Sequence, residues 1–294
     1  MHDYLLSVLL GIIEGLTEFL PVSSTGHLRI SEALLGIDLS NGYWKMYSIV
    51  IQLGAILCLP IYFRSRIGKF LATFPRGERG ERTALTHPVT LVLIAFVITA
   101  GPALLLHKQI GDNLERMSVI GWSLLIGGII MWIVDTRFGA PPANGRFKTE
   151  RMEEMSTIQA AWIGFCQIAS AVFPGTSRSM STIAAGQLAG MSRPSALEFS
   201  FFLSMPTMAA ATLYDLYKTL RAHTGETALG RMPANSQEWL VLMIGFVISF
   251  FVAWAVVAWF MHWVRQRGFV PFAVYRIVIG IAVLVWVAKS PGLN

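Results

Sequence analysis

Charge is scarce in this chain: 14% of its 294 residues are Asp, Glu, Lys or Arg, and 54% are hydrophobic, against about 25% charged in an ordinary soluble domain. That shortage excludes a soluble globule, because a single aqueous core cannot hide so much apolar surface. The chain belongs in a bilayer. Cysteine is scarcer still. Cys58 and Cys166 are the only two, each inside an apolar run without Cys-x-x-Cys or metal-ligand spacing, so both are expected to be small core residues. A basic stretch followed by a small-residue cleavage site is also missing at the N-terminus. Asp3, Glu14 and Glu18 stand there instead and Pro21 follows, so the first segment is expected to stay in the mature protein. Large blocks of one charge are absent as well. The formal charge of +6 comes from Lys and Arg in short loops beside apolar runs, the pattern of membrane orientation, and nucleic acid is excluded as a partner.

What the chain does have is long apolar runs. A spanning helix needs about 20 predominantly apolar residues, and six stretches qualify: 45–63, 88–106, 117–136, 195–215, 237–261 and 272–288. Two further apolar stretches, 4–36 and 157–190, are each cut by a proline and a run of Ser, Thr and Gly. Each is expected to be a re-entrant helical hairpin. The two superpose at a constant offset, with Gly11, Glu14, Pro21 and Ser24 falling on Gly164, Gln167, Pro174 and Ser177. The match continues, with a one-residue slip, where Tyr47-Ser48 falls on Phe199-Ser200.

Three crossings lie between the hairpins, an odd number, which predicts an inverted-topology repeat. The expected fold is therefore an all-α integral membrane protein of six transmembrane helices plus two re-entrant hairpins. It forms a single membrane domain over 1–294, with repeat one at about 1–136 and repeat two at about 157–289. In such repeats the broken helices bring irregular backbone and helix N-termini together near the midplane, where anions bind. The Ser-rich tips are expected to meet. Arg64, Arg66, Lys69, Arg76, Arg79 and Arg82 in one loop, and Arg265 and Arg267 in another, assign both loops to the cytoplasm. The first hairpin then opens to the periplasm.

Glu14 and Glu18 are four apart, on one face of an apolar half-helix, and an ionisable group at bilayer depth costs about 2.5 to 3.5 kcal/mol on insertion scales. A carboxylate pair retained at that cost points to a divalent cation or a shared proton beside a phosphate. The break that follows, Pro21-Val22-Ser23-Ser24-Thr25-Gly26-His27, supplies hydroxyls and free backbone N–H groups for an anion. His27 can act as base, acid or nucleophile. The second break, Pro174-Gly175-Thr176-Ser177-Arg178-Ser179, adds an arginine, whose planar fork recognises phosphate oxygens in pairs. Glu198, Arg276 and Gln52 are polar residues isolated in apolar helices. They are expected to pair with one another or to line the pocket. Trp44, Trp132, Trp239, Trp259, Trp263 and Trp286 fall toward helix ends, as an interfacial belt would.

The segment from Glu14 to His27 and the segment from Pro174 to Ser179 resemble those of the bacterial undecaprenyl-diphosphate phosphatases, also called bacitracin-resistance proteins, and the resemblance spans the whole chain. It implies a membrane enzyme of the bacterial inner membrane that removes the terminal phosphate of undecaprenyl diphosphate. That reaction recycles the lipid carrier of peptidoglycan synthesis, and it confers bacitracin resistance because the antibiotic sequesters the same diphosphate. A divalent cation, Mg²⁺ or Ca²⁺, is the implied cofactor. Carried over to this sequence, Glu14 and Glu18 stand near metal or phosphate, and Ser24, His27, Glu18 and Arg178 stand at the chemistry. Ser23, Thr25, Thr176, Ser177, Ser179 and Gln52 are assigned to substrate. The expected partners are the lipid substrate, membrane lipids and a second copy of the chain in a homodimer. Met180 stands where the family usually has glycine. Inverted repeats with broken helices are also the architecture of secondary transporters, so a lipid-phosphate flippase is the alternative. The type-2 phosphatidic acid phosphatases need a later histidine that Ser177-Arg178 lacks within a dozen residues.

Overall fold

The computed structural model describes residues 2–37, 42–78, 80, 82–114, 116–141, 145–221 and 230–290. Among these, the only β pairing is an isolated bridge between Thr149 and Met191, and helices carry the rest of the regular structure. Six are long and apolar enough to cross a membrane: α3 (Gly42–Tyr62), α5 (Pro88–Leu105), α7 (Met117–Phe138), α10 (Arg193–Arg221), α11 (Ser236–Gln266) and α12 (Val270–Lys289). They fall on the six expected stretches, their ends shifted by a turn or so. The chain is a multi-pass membrane protein. Two shorter helices, α4 (Arg64–Thr73) and α6 (His107–Leu114), flank α5 in the chain.

The two interrupted stretches fold as pairs of short helices, α1 (His2–Thr17) with α2 (Ser24–Leu34), and α8 (Thr157–Val172) with α9 (Arg178–Leu188). The first helix of each pair has 16 residues, about 24 Å of rise, short of the roughly 30 Å hydrocarbon thickness. Each chain break carries a proline, which removes a backbone donor and stops the helix. The next helix is then restarted by a serine cap.

Close packing fixes these short helices. α1 lies along α11 and α8 along α5, while α3 packs on α11, α10 on α5, and α7 on α12. The pattern is unchanged when α1, α3, α5 and α7 are exchanged with α8, α10, α11 and α12. Glycine permits the tightest contacts: a Cβ at Gly11 would stand 2.8 Å from the Gly245 carbonyl oxygen, and one at Gly164 would stand 2.5 Å from that of Ala95. Small residues of this kind let apolar helices approach where no water drives them together. Thr99 ties the second contact by donating to the Gly164 carbonyl at 2.8 Å. Cys58 and Cys166 are free and pack in the main apolar cluster, as expected.

Glu198 and Arg276 do not meet. Glu198 accepts from Arg66 of α4 at 2.8 Å, and Arg66 also reaches Glu153, so this carboxylate ties the basic loop to α10 and is no part of a pocket with Arg276. At the end of α7, buried Asp135 accepts from Gln187 at 2.9 Å, Arg193 at 2.7 Å and the Phe269 backbone N–H at 2.7 Å. That carboxylate joins α7, α9, α10 and the start of α12.

Candidate functional site

Each break ends in a serine with left-handed backbone, Ser23 at φ 75° and Ser177 at φ 70°. Such a conformation costs a non-glycine residue of order 1 to 3 kcal/mol and persists only where the surroundings impose it. Here both serines cap the following helix: the Ser23 hydroxyl oxygen accepts from the Gly26 N–H and that of Ser177 from the Met180 N–H, each at 3.3 Å. As helix caps, Ser23 and Ser177 match each other, whereas the sequence superposition pairs Ser177 with Ser24.

Ser24 and Arg178 are each the first residue of a short helix. Both turn to one carboxylate. Ser24 donates its hydroxyl proton to Glu18 Oε2 at 2.5 Å, and Arg178 Nη2 donates to Glu18 Oε1 at 2.5 Å. The Glu18 side chain is 2% exposed, and Gln52 approaches its Oε2 at 3.5 Å, the outer limit of a hydrogen bond. Arg178 also reaches the Ser204 carbonyl at 3.4 Å, while its Nε has no partner. A guanidinium carries five N–H donors, so three of them, the buried Nε among them, have no partner among the described residues.

Glu14, one turn back on α1, is wholly buried with neither carboxylate oxygen hydrogen-bonded. An ionised carboxylate in that condition is costly unless a cation or proton accompanies it. Among the described residues no group of three or more His, Cys, Asp or Glu gathers as a ready-made metal cage. Mg²⁺, however, is commonly held by one or two carboxylates plus substrate phosphate. Glu14 fits that donor set; Glu18, engaged on both oxygens, is less free than the sequence implied.

His27 sits apart from this cluster. Its Nδ1 lies 2.8 Å from the Ser23 carbonyl oxygen, and its Nε2 lies 2.8 Å from the Tyr275 hydroxyl, with the two rings stacked at 5.5 Å and 10°. A carbonyl only accepts, so the neutral imidazole carries its proton on Nδ1, and Nε2 offers a lone pair to which the Tyr275 O–H donates. The hydrogen bond from Ser24 goes to Glu18 and not to His27.

The two breaks themselves meet. Arg276 of α12, 0% exposed, donates to the Pro21 carbonyl at 3.0 Å, the Gly175 carbonyl at 2.9 Å and the Ser123 carbonyl at 3.1 Å. A Cβ at Gly26 would stand 3.7 Å from the Gly175 Cα, and Gly175 itself has φ 96° with its Cβ position 2.7 Å from the Ile120 carbonyl oxygen. Glycine is required there on both counts. The Thr25, Thr176 and Ser179 hydroxyls make no hydrogen bond among the described residues. Thr25 and Thr176 are half-buried and Ser179 is buried.

A family profile described as bacitracin resistance protein BacA matches residues 7–282. The chain belongs to this family. Among its relatives, an undecaprenyl-diphosphatase of Koribacter versatilis is 66% identical over 291 residues, covering 98% of this chain and 100% of the relative. Those of Caldanaerobacter subterraneus subsp. tengcongensis and Deinococcus radiodurans are 38% and 35% identical over 282 and 295 residues. These cover 96% and 98% of this chain, and 95% and 97% of the relatives. Within this member of the BacA family, sequence reasoning missed Tyr275 altogether, because a tyrosine in an apolar helix carries no signal. It saw Arg276 as an isolated charge but not its partners, which are backbone carbonyls and leave no trace in residue types. Met180, the departure from the family pattern, is buried beside Gly127 and removes no polar group.

Proposed function

We infer that this chain hydrolyses undecaprenyl diphosphate to undecaprenyl phosphate and inorganic phosphate, returning the lipid carrier to peptidoglycan synthesis and conferring bacitracin resistance. The observation that carries the chemistry is the shared carboxylate: Ser24 and Arg178, from two breaks 154 positions apart in sequence, both donate to Glu18. Family membership names the substrate. The site lies in the inner membrane and opens to the periplasm, a side supported by the basic loop that carries Arg66 and Arg82. Each short-helix pair is read as a re-entrant hairpin and the two halves as an inverted repeat, supported by the helix contacts that survive exchange of the halves.

The prenyl tail stays in lipid while the diphosphate enters between the breaks. The open N–H donors of Arg178 take terminal phosphate oxygens, and the unengaged hydroxyls of Thr25, Thr176 and Ser179 complete the cradle. Ser23 and Ser177 still have hydroxyl protons to donate, since only their oxygens are used in capping. Stabilising charge in this way is most of what phosphoryl transfer requires. A divalent cation, Mg²⁺ or Ca²⁺, would be held by Glu14 with phosphate oxygens and would supply Lewis-acid neutralisation of the diphosphate.

Ser24 Oγ attacks the terminal phosphorus as its proton passes to Glu18. The bond to the bridging oxygen breaks, undecaprenyl phosphate departs with the electron pair, and Glu18 returns the proton to the departing phosphate. Water then attacks the phosphoserine as the bond from phosphorus to Ser24 Oγ breaks; one water proton passes to His27 Nε2 as the Tyr275 O–H turns away from it, and His27, which shares a face of α2 with Ser24 three residues away, returns that proton to the Ser24 oxygen. Inorganic phosphate and free Ser24 result. This order assigns Glu18, and not His27, as the base for Ser24, because the hydrogen bond runs there.

The test is phosphate release from undecaprenyl diphosphate by purified protein in detergent, comparing wild type, Arg178→Ala and His27→Ala, with and without chelator. An acid- and alkali-quenched single turnover accompanies it. Release lost with Arg178→Ala, and an acid-stable, alkali-labile phosphoenzyme accumulating in His27→Ala, are expected. An alkali-stable label would move the nucleophile to His27. No release by folded wild type under any metal would leave a lipid-phosphate flippase as the reading, since detergent abolishes sidedness.

A further inference from the structure

Arg276 is a guanidinium with no carboxylate. It is wholly buried, forms no ion pair among the described residues, and donates to three backbone carbonyls, from Nη1 to Pro21 in the first break and from Nη2 to Gly175 in the second and Ser123 of α7, while its Nε has no partner. Two of those carbonyls lie where the helical ladder is interrupted, and backbone acceptors freed at membrane depth must be satisfied by something other than water. A neutral donor would meet that need. A cation placed there without an anion is costly, so its retention asks for a further reason, and the geometry supplies one. Pro21 lies three residues from Ser24 and Gly175 three residues from Arg178, the pair that converges on Glu18. One rigid fork thus spans the hinge points of both halves of the site.

We infer that Arg276 is a positioning residue for the diphosphatase reaction, which rests on the reading above. Its fork holds the two breaks in the mutual placement that sets Ser24 and Arg178 on Glu18, and its unpaired charge adds to the field that draws the diphosphate between them. Two features of α7 fit this role. Gly127 is kept free of a side chain because a Cβ there would collide with Arg276 Nη2 and stand 2.8 Å from Met180 Cε, and at Gly128 a Cβ would stand 3.1 Å from the Arg276 Cβ. The helix therefore carries consecutive glycines where the arginine passes. A lysine at 276 would keep the charge but offers one compact ammonium for carbonyls presented by three elements.

The experiment measures kcat, KM and thermal midpoint for wild type, Arg276→Lys, Arg276→Met and Gly127→Ala, each purified and checked for a single folded peak. In Arg276→Lys, kcat falls about 100-fold with KM nearly unchanged, because a misplacement near 1 Å costs about that much while the charge remains. Arg276→Met loses kcat and also raises KM. Gly127→Ala favours the helix yet displaces the fork, so kcat falls at least tenfold with the arginine still present. If folded Arg276→Lys or Gly127→Ala keeps kcat within threefold of wild type, the positioning role is overturned. A KM that does not rise in folded Arg276→Met overturns the electrostatic half of it. Should both Arg276 variants fail to fold, Gly127→Ala alone decides. A wild type that releases no phosphate would count against the diphosphatase reading instead, so the two failures are told apart.

Discussion

Replacing Glu18 by glutamine keeps the shape of the side chain and changes what it can accept. Glu18 receives Arg178 and Ser24 at 2.5 Å each, with Gln52 at 3.5 Å. An amide offers one oxygen and one NH₂, so either Arg178 or Ser24 must face a donor instead of an acceptor. Removing one partner of a buried ion pair costs about 3 to 5 kcal/mol. Glu14, one turn away with both oxygens unengaged, can take up part of the stranded charge of Arg178, which puts the expected loss near 3 kcal/mol, at the low end of that range. Activity falls further than stability. Loss of a positioned base removes about 10² to 10⁴ in rate, and the disturbed Arg178 weakens phosphate capture as well. The assay is phosphate release under single-turnover conditions at a temperature where Glu18→Gln is fully folded, together with a thermal midpoint. A folded Glu18→Gln retaining activity within tenfold of wild type would refute the assignment of Glu18 as proton acceptor for Ser24.

Three further outcomes follow from the same geometry. Glu14→Gln removes a buried carboxylate whose oxygens have no hydrogen-bond partner, so the thermal midpoint should hold or rise while the activation of phosphate release by added Mg²⁺ or Ca²⁺ disappears; unchanged metal titration curves would exclude Glu14 as the ligand. Tyr275→Phe keeps the ring stacked on His27 but loses the hydrogen bond to Nε2, typically about 1 kcal/mol. With Nε2 no longer capped by the Tyr275 O–H, hydrolysis of the phosphoserine should hold or quicken while the thermal midpoint falls by about 2 °C; a quenched-turnover time course in which phosphoserine accumulates would refute that lone pair as the acceptor. Asp135→Asn turns an NH₂ toward at least one of the donors Gln187, Arg193 and the Phe269 N–H, with an expected loss of about 3 kcal/mol. Its thermal midpoint falls while kcat per folded molecule stays at the wild-type value, because Asp135 touches no residue of the Glu18 cluster.

Composition and periodicity determined the membrane class, all six long helices and the two interrupted stretches, because each depends on apolar run length and on proline, which act locally. The residue types of the site were legible for a related reason: a carboxylate, an arginine or a run of hydroxyls inside an apolar context is expensive enough to stand out. Geometry was not legible. The likeness of Ser23 to Ser177 as helix caps lies in backbone at positive φ and cap hydrogen bonds, neither of which residue types reveal. The partners of Arg276 are carbonyls, which every residue possesses. Glu198 looked like a companion for Arg276 because both are lone charges in apolar helices, yet Arg66 lies within reach of one and three carbonyls within reach of the other. That Arg178 closes on Glu18, and that His27 turns to Tyr275, were decided by how α1, α2, α9 and α12 pack, since contacts between residues more than a hundred positions apart leave no local pattern in the chain.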